Sequence, residues 1–173
     1  MKNILSKKLV ERYSRQIVLK DVGPSGQKKI IKSRVLVVGA GGLGCPVIDY
    51  LSRAGVGNIG VIDNDRVNIS NIHRQSLYSS KDTGKFKVNI VKKKIKLINP
   101  DIKIKTFKER IGIKNIEKIL KNYDFIIDGS DNFKTKFLLN RYCLKYKKIL
   151  IVGAISKMDG HIFTFDFKNK NDP

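Results

Sequence analysis

Short runs of apolar, mostly β-branched residues alternate along this chain with segments whose apolar residues recur at helical spacing. The runs predict six strands: Arg34–Val38, Asn58–Ile62, Ile102–Phe107, Asp124–Ile127, Ile149–Val152 and His161–Phe167. The helical spacing predicts helices through Ala54, over Lys85–Ile98, over Ile116–Leu120 and over Asn132–Tyr146. This alternation predicts a Rossmann-like, doubly wound α/β fold, in which helices cover both faces of a mostly parallel sheet.

An N-terminal helical arm, residues 1–32, precedes the first predicted strand. Leu9, Tyr13 and Ile17 share roughly one helical face between Lys7 and Leu19. A segment with Gly and Pro then interrupts the helix, and a short second helix is predicted at Gln27–Ile31.

The composition indicates one ordered globular domain over residues 1–173. Of the 173 residues, 41% are hydrophobic and 29% are charged. No apolar run is long enough to cross a bilayer, and the N-terminus lacks a signal-peptide pattern. Two cysteines without a CxxC pair favour a reducing cytoplasm. Because the sequence stops at Asn171–Pro173, just after a strand and without a closing helix, we expect a C-terminal truncation.

The formal net charge is +21, which raises the question of a polyanionic partner. The lysines are spread from Lys2 to Lys170, however, rather than gathered in one tract. No basic motif with interleaved aromatic residues is present in the sequence. A generally solvated lysine surface is therefore favoured, and nucleic-acid binding is not expected as the main function.

A glycine-rich loop follows the first predicted strand directly. Gly39–Gly44 reads GAGGLG, which satisfies GxGxxG between a strand and a helix. In this pattern Gly39 permits a tight turn, Gly41 lets a phosphate approach the backbone, and Gly44 permits close packing of helix on strand. Asp63 ends the second predicted strand, where a carboxylate accepts hydrogen bonds from a ribose. The loop thus predicts nucleotide binding but does not choose between a dinucleotide and ATP.

Further motifs make the prediction more specific. In chain order they are RYSRQIVL at Arg12–Leu19, VGAGGLGC at Val38–Cys45, LSRAGVGNIGVIDND at Leu51–Asp65, NIHRQ at Asn71–Gln75 and DGSDNFKTK at Asp128–Lys136, and shorter GKFKV and INP segments accompany them. Together, from about Arg12 to Gly160, these motifs resemble those of the ThiF/MoeB/HesA family of adenylyltransferases, relatives of the ubiquitin-activating enzymes. The resemblance is greatest to the sulfur-carrier-activating branch of that family.

The resemblance implies that Mg-ATP lies on the glycine loop and that the C-terminal glycine carboxylate of a small ubiquitin-like sulfur carrier protein attacks the α-phosphorus. The product would be an acyl-adenylate, in molybdopterin or thiamin biosynthesis. Carried over by motif, Gly42 and its neighbours would cradle phosphate and Asp63 would hold the ribose. Asn71 and Arg74 would contact phosphates. Asp65 and Asn132 are further candidates for the nucleotide site.

The resemblance also assigns the charged catalytic residues. Lys87 would stabilise charge on the α-phosphate and the leaving group, and Asp131 would bind Mg²⁺. Arg15 would reach into the ATP site of a neighbouring subunit, which implies a homodimer. These residue types suit the chemistry, because a carboxylate and a triphosphate are both anionic and meet only where cations are supplied.

Each of these residues also has a structural interpretation. Arg15 and Arg74 are surface salt-bridge partners in that interpretation. Lys87 lies in a lysine-rich segment, which by itself indicates a solvated helix face. Asp131 precedes an apolar run and is a candidate helix cap. Cys45 opens a helix, where the pKa of a thiol is lowered, although tight packing also favours a small residue there.

Three other functions stay open. An NAD-dependent oxidoreductase uses the same glycine loop but leaves NIHRQ and DGSDNF unexplained. A non-catalytic nucleotide-binding partner is a second alternative, and a tRNA threonylcarbamoyladenosine dehydratase of the same family is a third. Family members continue into paired CxxC motifs that bind a structural zinc. Because this sequence has no CxxC, zinc is an expectation for a longer protein only.

Overall fold

The computed structural model describes residues 5–169 and contains six strands. These lie side by side in one sheet in the Rossmann order β3-β2-β1-β4-β5-β6. Neighbouring strands are parallel except at the β5–β6 edge, where the pair is antiparallel. The predicted doubly wound, mostly parallel sheet is therefore confirmed. The strands are β1 (Arg34–Val38), β2 (Asn58–Ile62), β3 (Lys103–Phe107), β4 (Phe125–Asp128), β5 (Ile149–Ser156) and β6 (Asp159–Asp166).

Helices occupy the connections and precede the sheet. Two short 3-10 helices, Ile69–Asn71 and Ser80–Asp82, lie in the long loop after β2. No helix within residues 5–169 has the length and apolar character needed to cross a membrane. The α-helices are α1 (Lys7–Arg12), α2 (Ser14–Ile17), α3 (Gly23–Lys32), α4 (Gly44–Ala54), α5 (Lys87–Ile98), α6 (Ile116–Leu120) and α7 (Phe133–Lys145).

The sheet separates two hydrophobic cores, which is why β1 is an uninterrupted apolar run. Side chains alternate along a strand, so Val35 and Val37 face one core and Leu36 and Val38 face the other. Helices α4 and α5 cover the first face, while α6 and α7 cover the second. The predicted placement of helices on both faces is thus confirmed.

The N-terminal arm is docked through a buried tyrosine. Tyr13, 3% exposed, interrupts the helix predicted from Lys7 to Leu19 and so separates α1 from α2. The Asn99 side-chain amide donates to its hydroxyl over 2.9 Å. The Tyr13 ring packs so closely on Gly55 that any side chain at position 55 would collide with the ring. The helix predicted at Gln27–Ile31 is longer in the structure, where α3 begins at Gly23.

The last two strands form a hairpin longer than the sequence pattern predicted. Strand β5 continues to Ser156 and β6 starts at Asp159, with Lys157 in the left-handed turn conformation at φ 54°. The distal half of the hairpin is exposed, and apolar patterning reports burial rather than backbone pairing. The sequence pattern therefore ended β5 four residues too early and began β6 two residues too late. The predicted end at Asn171–Pro173 and the first four residues of the arm lie outside the described residues.

Candidate functional site

The glycine loop turns directly from β1 into α4 at the carboxyl edge of the sheet. Gly39 has φ +92°, and a Cβ there would lie 2.9 Å from the carbonyl oxygen of Gly129. A Cβ on Gly44 would collide with the carbonyl of Gly39. Both positions therefore require glycine, one for its backbone conformation and both for close packing.

The middle of the loop is less constrained from within the protein. A Cβ on Gly41 would lie 3.7 Å from the side-chain nitrogen of Gln75, and one on Gly42 would lie 3.6 Å from the Arg74 side chain. Helix α4 begins at Gly44 without a side-chain cap among the described residues. Its first N–H groups therefore offer partial positive charge to an anion on the loop.

Asp63 connects the end of β2 to the glycine loop. One of its carboxylate oxygens accepts a hydrogen bond of 2.7 Å from the backbone N–H of Ala40. The other accepts one of 2.7 Å from the N–H of Asp65. A carboxylate has about four lone-pair sites, so half of its acceptor capacity remains for hydroxyl donors. This geometry is compatible with the predicted ribose contact.

Lys87 is buried, which rules out the interpretation of this residue as part of a solvated helix face. Its side chain is 5% exposed, and its ammonium lies 3.0 Å from a carboxylate oxygen of Asp65, whose side chain is 57% exposed. The backbone N–H of Lys87 donates to the carbonyl of Asp65 over 3.0 Å. The first residue of α5 is thereby held against the carboxyl end of β2, beside the loop that carries Asp63.

The NIHRQ segment brings two predicted residues into contact. The Arg74 guanidinium donates to the side-chain oxygen of Asn71 over 2.9 Å and to the carbonyl of Ser70 over 3.4 Å. None of the ion pairs within residues 5–169 includes Arg74, so its salt-bridge interpretation is not supported there. Within the described residues the guanidinium has no carboxylate partner, and the Arg74 side chain lies beside Gly42.

The DGSDN loop crosses the glycine loop from the end of β4. Asp128 is fully buried, accepts a 2.8 Å hydrogen bond from the N–H of Ser130, and lies 3.3 Å from the ammonium of Lys136. Lys136 also donates to the carbonyl of Gly153 over 2.8 Å. Sequence reasoning missed this ion pair, because nothing in the spacing of Asp128 and Lys136 indicates that they meet.

Asp131 and Asn132 have different roles in the local structure. Asn132 is the N-cap of α7, and its side-chain oxygen accepts from the N–H of Thr135 over 3.0 Å. Asp131 is exposed and contacts the Asn132 side-chain nitrogen at 3.4 Å. The capping function therefore belongs to Asn132, and the carboxylate of Asp131 is available to a ligand.

A single carboxylate fits a magnesium site that is completed by substrate. No cluster of three or more metal-ligating side chains occurs within residues 5–169. Mg²⁺ does not need one, because it is commonly held by one or two carboxylates together with phosphate oxygens and water. A structural zinc site does need a closed set of four ligands, and the residues described do not fit one.

Arg15 is exposed on α2, two residues after the buried Tyr13. No hydrogen bond or ion pair within the described part of the chain joins it to another candidate residue or to a carboxylate. Its predicted role in a neighbouring subunit stays a prediction.

The two cysteines are structural. Cys45 and Cys143 lie in the two separate cores. Burial raises the pKa of the Cys45 thiol, and it raises the pKa of Cys143 to about 12. The lowered thiol pKa considered for Cys45 is therefore wrong, because desolvation outweighs the effect of the helix N-terminus.

An apolar pocket of about 330 Å³ adjoins the DGSDN loop between the start of α4 and the β5–β6 hairpin. Gly44 is the predicted site residue that lines it. The pocket is distinct from the polar surface above Gly42. Its apolar lining includes Leu43, Val47, Ile127, Ile151, Ile155 and Ile162.

Comparison with known families agrees with this arrangement. The family model of the ThiF family matches residues 13–173. The chain belongs to the ThiF family. The sequence resemblance to ThiF/MoeB/HesA proteins is thereby confirmed.

Two curated relatives within the ThiF family are similar over nearly the whole chain. A sulfur carrier protein adenylyltransferase from Thermus thermophilus is 42% identical over 160 residues, which are 92% of this chain and 59% of that protein. A probable molybdopterin-synthase adenylyltransferase from Gracilaria tenuistipitata var. liui is 41% identical over 165 residues, 95% of this chain and 46% of that protein. The chain thus spans about half the length of these relatives.

A solved ThiF-like structure shares the fold. The E. coli tRNA N6-threonylcarbamoyladenosine dehydratase, in a crystal structure in complex with ATP, superposes with a TM-score of 0.83 at 26% identity. The superposition covers 90% of this chain and 65% of that chain.

Proposed function

We propose that residues 1–173 form one nucleotide-binding adenylation domain of an enzyme that activates the C-terminal glycine of a ubiquitin-like sulfur carrier protein. One observation carries the proposal. Three charged residues lie at the carboxyl edge that carries the glycine loop: Lys87 at the start of α5, and Arg74 and Asp131 on loops. Lys87 is buried, Arg74 is in no ion pair within the described residues, and Asp131 is exposed. Open α/β sheets bind ligands at this edge.

The reaction is a nucleotidyl transfer. A carboxylate oxygen of the carrier forms a bond to the α-phosphorus of ATP, and the bond from that phosphorus to the bridging oxygen of pyrophosphate breaks. The products are the acyl-adenylate and pyrophosphate. A C-terminal carboxyl group is already ionised near neutral pH, so no general base is needed.

The charged residues meet the electrostatic requirement of this reaction. Lys87 supplies a compact positive charge for the α-phosphate and the leaving group, and Arg74 presents a planar guanidinium to phosphate oxygens. Its neighbour Asn71 fixes the orientation of that guanidinium. One preorganised donor of this kind contributes about 2.7–4 kcal/mol in enzymes where it has been removed.

The remaining candidates hold the nucleotide. The backbone of Gly39, Gly41, Gly42 and Gly44 cradles the phosphates and Asp63 accepts from the ribose. Asp131 would hold Mg²⁺, which neutralises phosphate charge when bound. The Asp65 side chain pairs with Lys87, and the Asn132 side chain caps α7. We therefore propose that Asp65 and Asn132 position neighbouring residues of the site.

The assembly and setting follow from the same proposal. Arg15 would complete the site of a second subunit, so the working form would be a homodimer. We propose the cytoplasm as its location. The relatives carry names from sulfur carrier and molybdopterin chemistry, which support a sulfur carrier protein as the substrate. We place molybdopterin biosynthesis before thiamin biosynthesis for this reason. We propose that the carrier ends in Gly-Gly.

Two observations favour a second candidate. The ATP-bound structural relative is a tRNA threonylcarbamoyladenosine dehydratase, and the net charge of +21 suits a nucleic-acid substrate. The curated relatives named above, at 41–42% identity, favour the carrier protein over the tRNA. The NAD-dependent oxidoreductase and the non-catalytic partner have no comparable support.

Nucleotide binding and carrier-dependent exchange test the proposal separately. Isothermal titration calorimetry on the 173-residue chain is expected to show Mg-ATP binding and negligible affinity for NAD. A longer form of the protein, given a carrier ending in Gly-Gly, is expected to exchange labelled pyrophosphate into ATP, and exchange that depends on tRNA instead would support the second candidate. Preference for NAD would overturn the adenylation proposal altogether.

A further inference from the structure

Two buried polar atoms without a hydrogen-bond partner lie on either side of the glycine loop. They are the side-chain oxygen of Gln75 and the hydroxyl of Ser130, and no residue in the described range 5–169 bonds to either. Buried polar groups are nearly always hydrogen-bonded, because leaving one unpaired is unfavourable. Such atoms beside a ligand-binding loop therefore require an explanation.

Gln75, the last residue of the NIHRQ segment, lies on one side of the glycine loop. It is only 4% exposed, and its backbone N–H is bonded to the carbonyl of Asn71. Its side-chain nitrogen is 3.7 Å from the position of a Cβ on Gly41. The amide thus lies against the part of the loop that glycine leaves open to a ligand.

Ser130 lies on the opposite side, in the DGSDN loop. Its N–H is held by the carboxylate of Asp128 at 2.8 Å and lies 3.4 Å from the position of a Cβ on Gly39. The ion pair of Asp128 with Lys136 fixes this loop to α7. The hydroxyl is therefore kept in place beside the loop, although nothing in the described residues bonds to it.

We propose that Gln75 and Ser130 are further contacts for the nucleotide, in addition to the residues assigned above. This inference rests on the proposed binding of ATP to the glycine loop. Triphosphate oxygens accept hydrogen bonds, which the Ser130 hydroxyl donates, and ribose hydroxyls donate to an oxygen such as that of Gln75. The ligand completes the hydrogen bonding that the protein leaves open.

The inference predicts opposite effects on affinity and on stability. Gln75→Met is expected to weaken Mg-ATP binding by about 2- to 12-fold, the range for one neutral hydrogen bond. Ser130→Ala is expected to weaken it by about 12- to 160-fold, the range for a hydrogen bond to a charged group. Neither lowers the melting temperature without nucleotide, and removal of an unpaired buried polar atom raises it by about 2–4 °C. Substitution of a residue with a purely structural role has the reverse effect, since it lowers the melting temperature and leaves the affinity for Mg-ATP unchanged.

Gln27 provides a matched control. Its side-chain oxygen is the third buried, unpartnered polar atom in the described residues, and its nitrogen donates to the carbonyl of Ala54 over 3.0 Å. Ala54 ends α4, about 15 Å along the helix from Gly44 at 1.5 Å per residue. Gln27→Met is therefore expected to leave Mg-ATP affinity unchanged.

The experiment is calorimetric titration of the 173-residue chain with Mg-ATP, with thermal unfolding in the absence and presence of the nucleotide. Weaker binding in both site variants, with undiminished stability and an unchanged Gln27→Met control, supports the proposal. Unchanged affinity in Ser130→Ala, the smaller change, overturns it even if Gln75→Met fails to fold. Failure of the unsubstituted chain to bind Mg-ATP overturns the proposed function as well, so the two failures are distinguishable.

Discussion

The ammonium of Lys87 lies 3.0 Å from the carboxylate of Asp65, with the lysine buried and the aspartate largely exposed. The carboxylate thus holds the lysine ammonium in place at the carboxyl edge of the sheet before a ligand binds. A charge held in advance costs no reorganisation when the transition state forms. This relationship sets Lys87 apart from the other lysines of α5.

Lys87→Met is expected to lower carrier-dependent pyrophosphate exchange by about two to three orders of magnitude, because it removes a preorganised charge. Lys92→Met is the matched control, since Lys92 is exposed on the same helix. Exchange rates of both variants, measured side by side in the longer protein, decide the matter. Equal rates in the two variants would mean that Lys87 is not a catalytic residue.

Adjacent substitutions in the DGSDN loop are expected to separate activity from stability. Asp131→Ala removes the proposed metal ligand and lowers exchange by roughly two to three orders of magnitude, with little effect on unfolding. Asn132→Ala removes the cap of α7 and costs about 1 kcal/mol of stability. Urea unfolding and exchange assays on both variants test this division, and a large stability loss in Asp131→Ala would contradict it.

The trans role of Arg15 predicts complementation between inactive subunits. Arg15→Ala and Asp131→Ala proteins are each expected to be nearly inactive in exchange. After subunit exchange, hybrid dimers contain one site with both residues intact, so that part of the activity returns. The measurement requires proof of mixing, for example by differently tagged subunits. Verified hybrids without activity would exclude the trans role.

A pH-dependent contribution to stability is expected at the opposite edge of the sheet. Arg34 donates two hydrogen bonds, of 2.9 and 2.8 Å, to the carboxylate of Asp124. These hydrogen bonds lower the pKa of Asp124 below its ordinary value of 3.8. A lowered folded-state pKa gives stability that is complete above the unfolded pKa and is lost as the pH falls through the folded value.

Asp124→Asn is therefore expected to lower the free energy of unfolding by about 1 kcal/mol or less at pH 7, as is typical of a partly exposed pair. The difference from the unsubstituted chain is expected to shrink as the pH falls below about 4. Urea unfolding at several pH values measures it. A difference that stayed constant down to about pH 2 would show that the carboxylate charge is not its source.

The sequence by itself determined the fold class and most element positions. β1, β2 and α6 have the predicted bounds, because an uninterrupted apolar run or a strong helical period leaves few alternatives for burying those side chains. The glycine loop, with Asp63 after the next strand, was equally readable, since its turn admits glycine alone at Gly39. Patterns of this kind depend only on residues that are close together in the sequence.

Contacts between distant residues were decided only by the tertiary structure. Tyr13 breaks the predicted first helix because its hydroxyl and ring are held by Asn99 and Gly55, which no local pattern reveals. The burial of Lys87 and the ion pair of Asp128 with Lys136 likewise depend on how α5 and α7 pack at the carboxyl edge. Periodicity reports which face of an element is apolar, whereas the partner of a single polar atom is fixed by the three-dimensional arrangement of several elements.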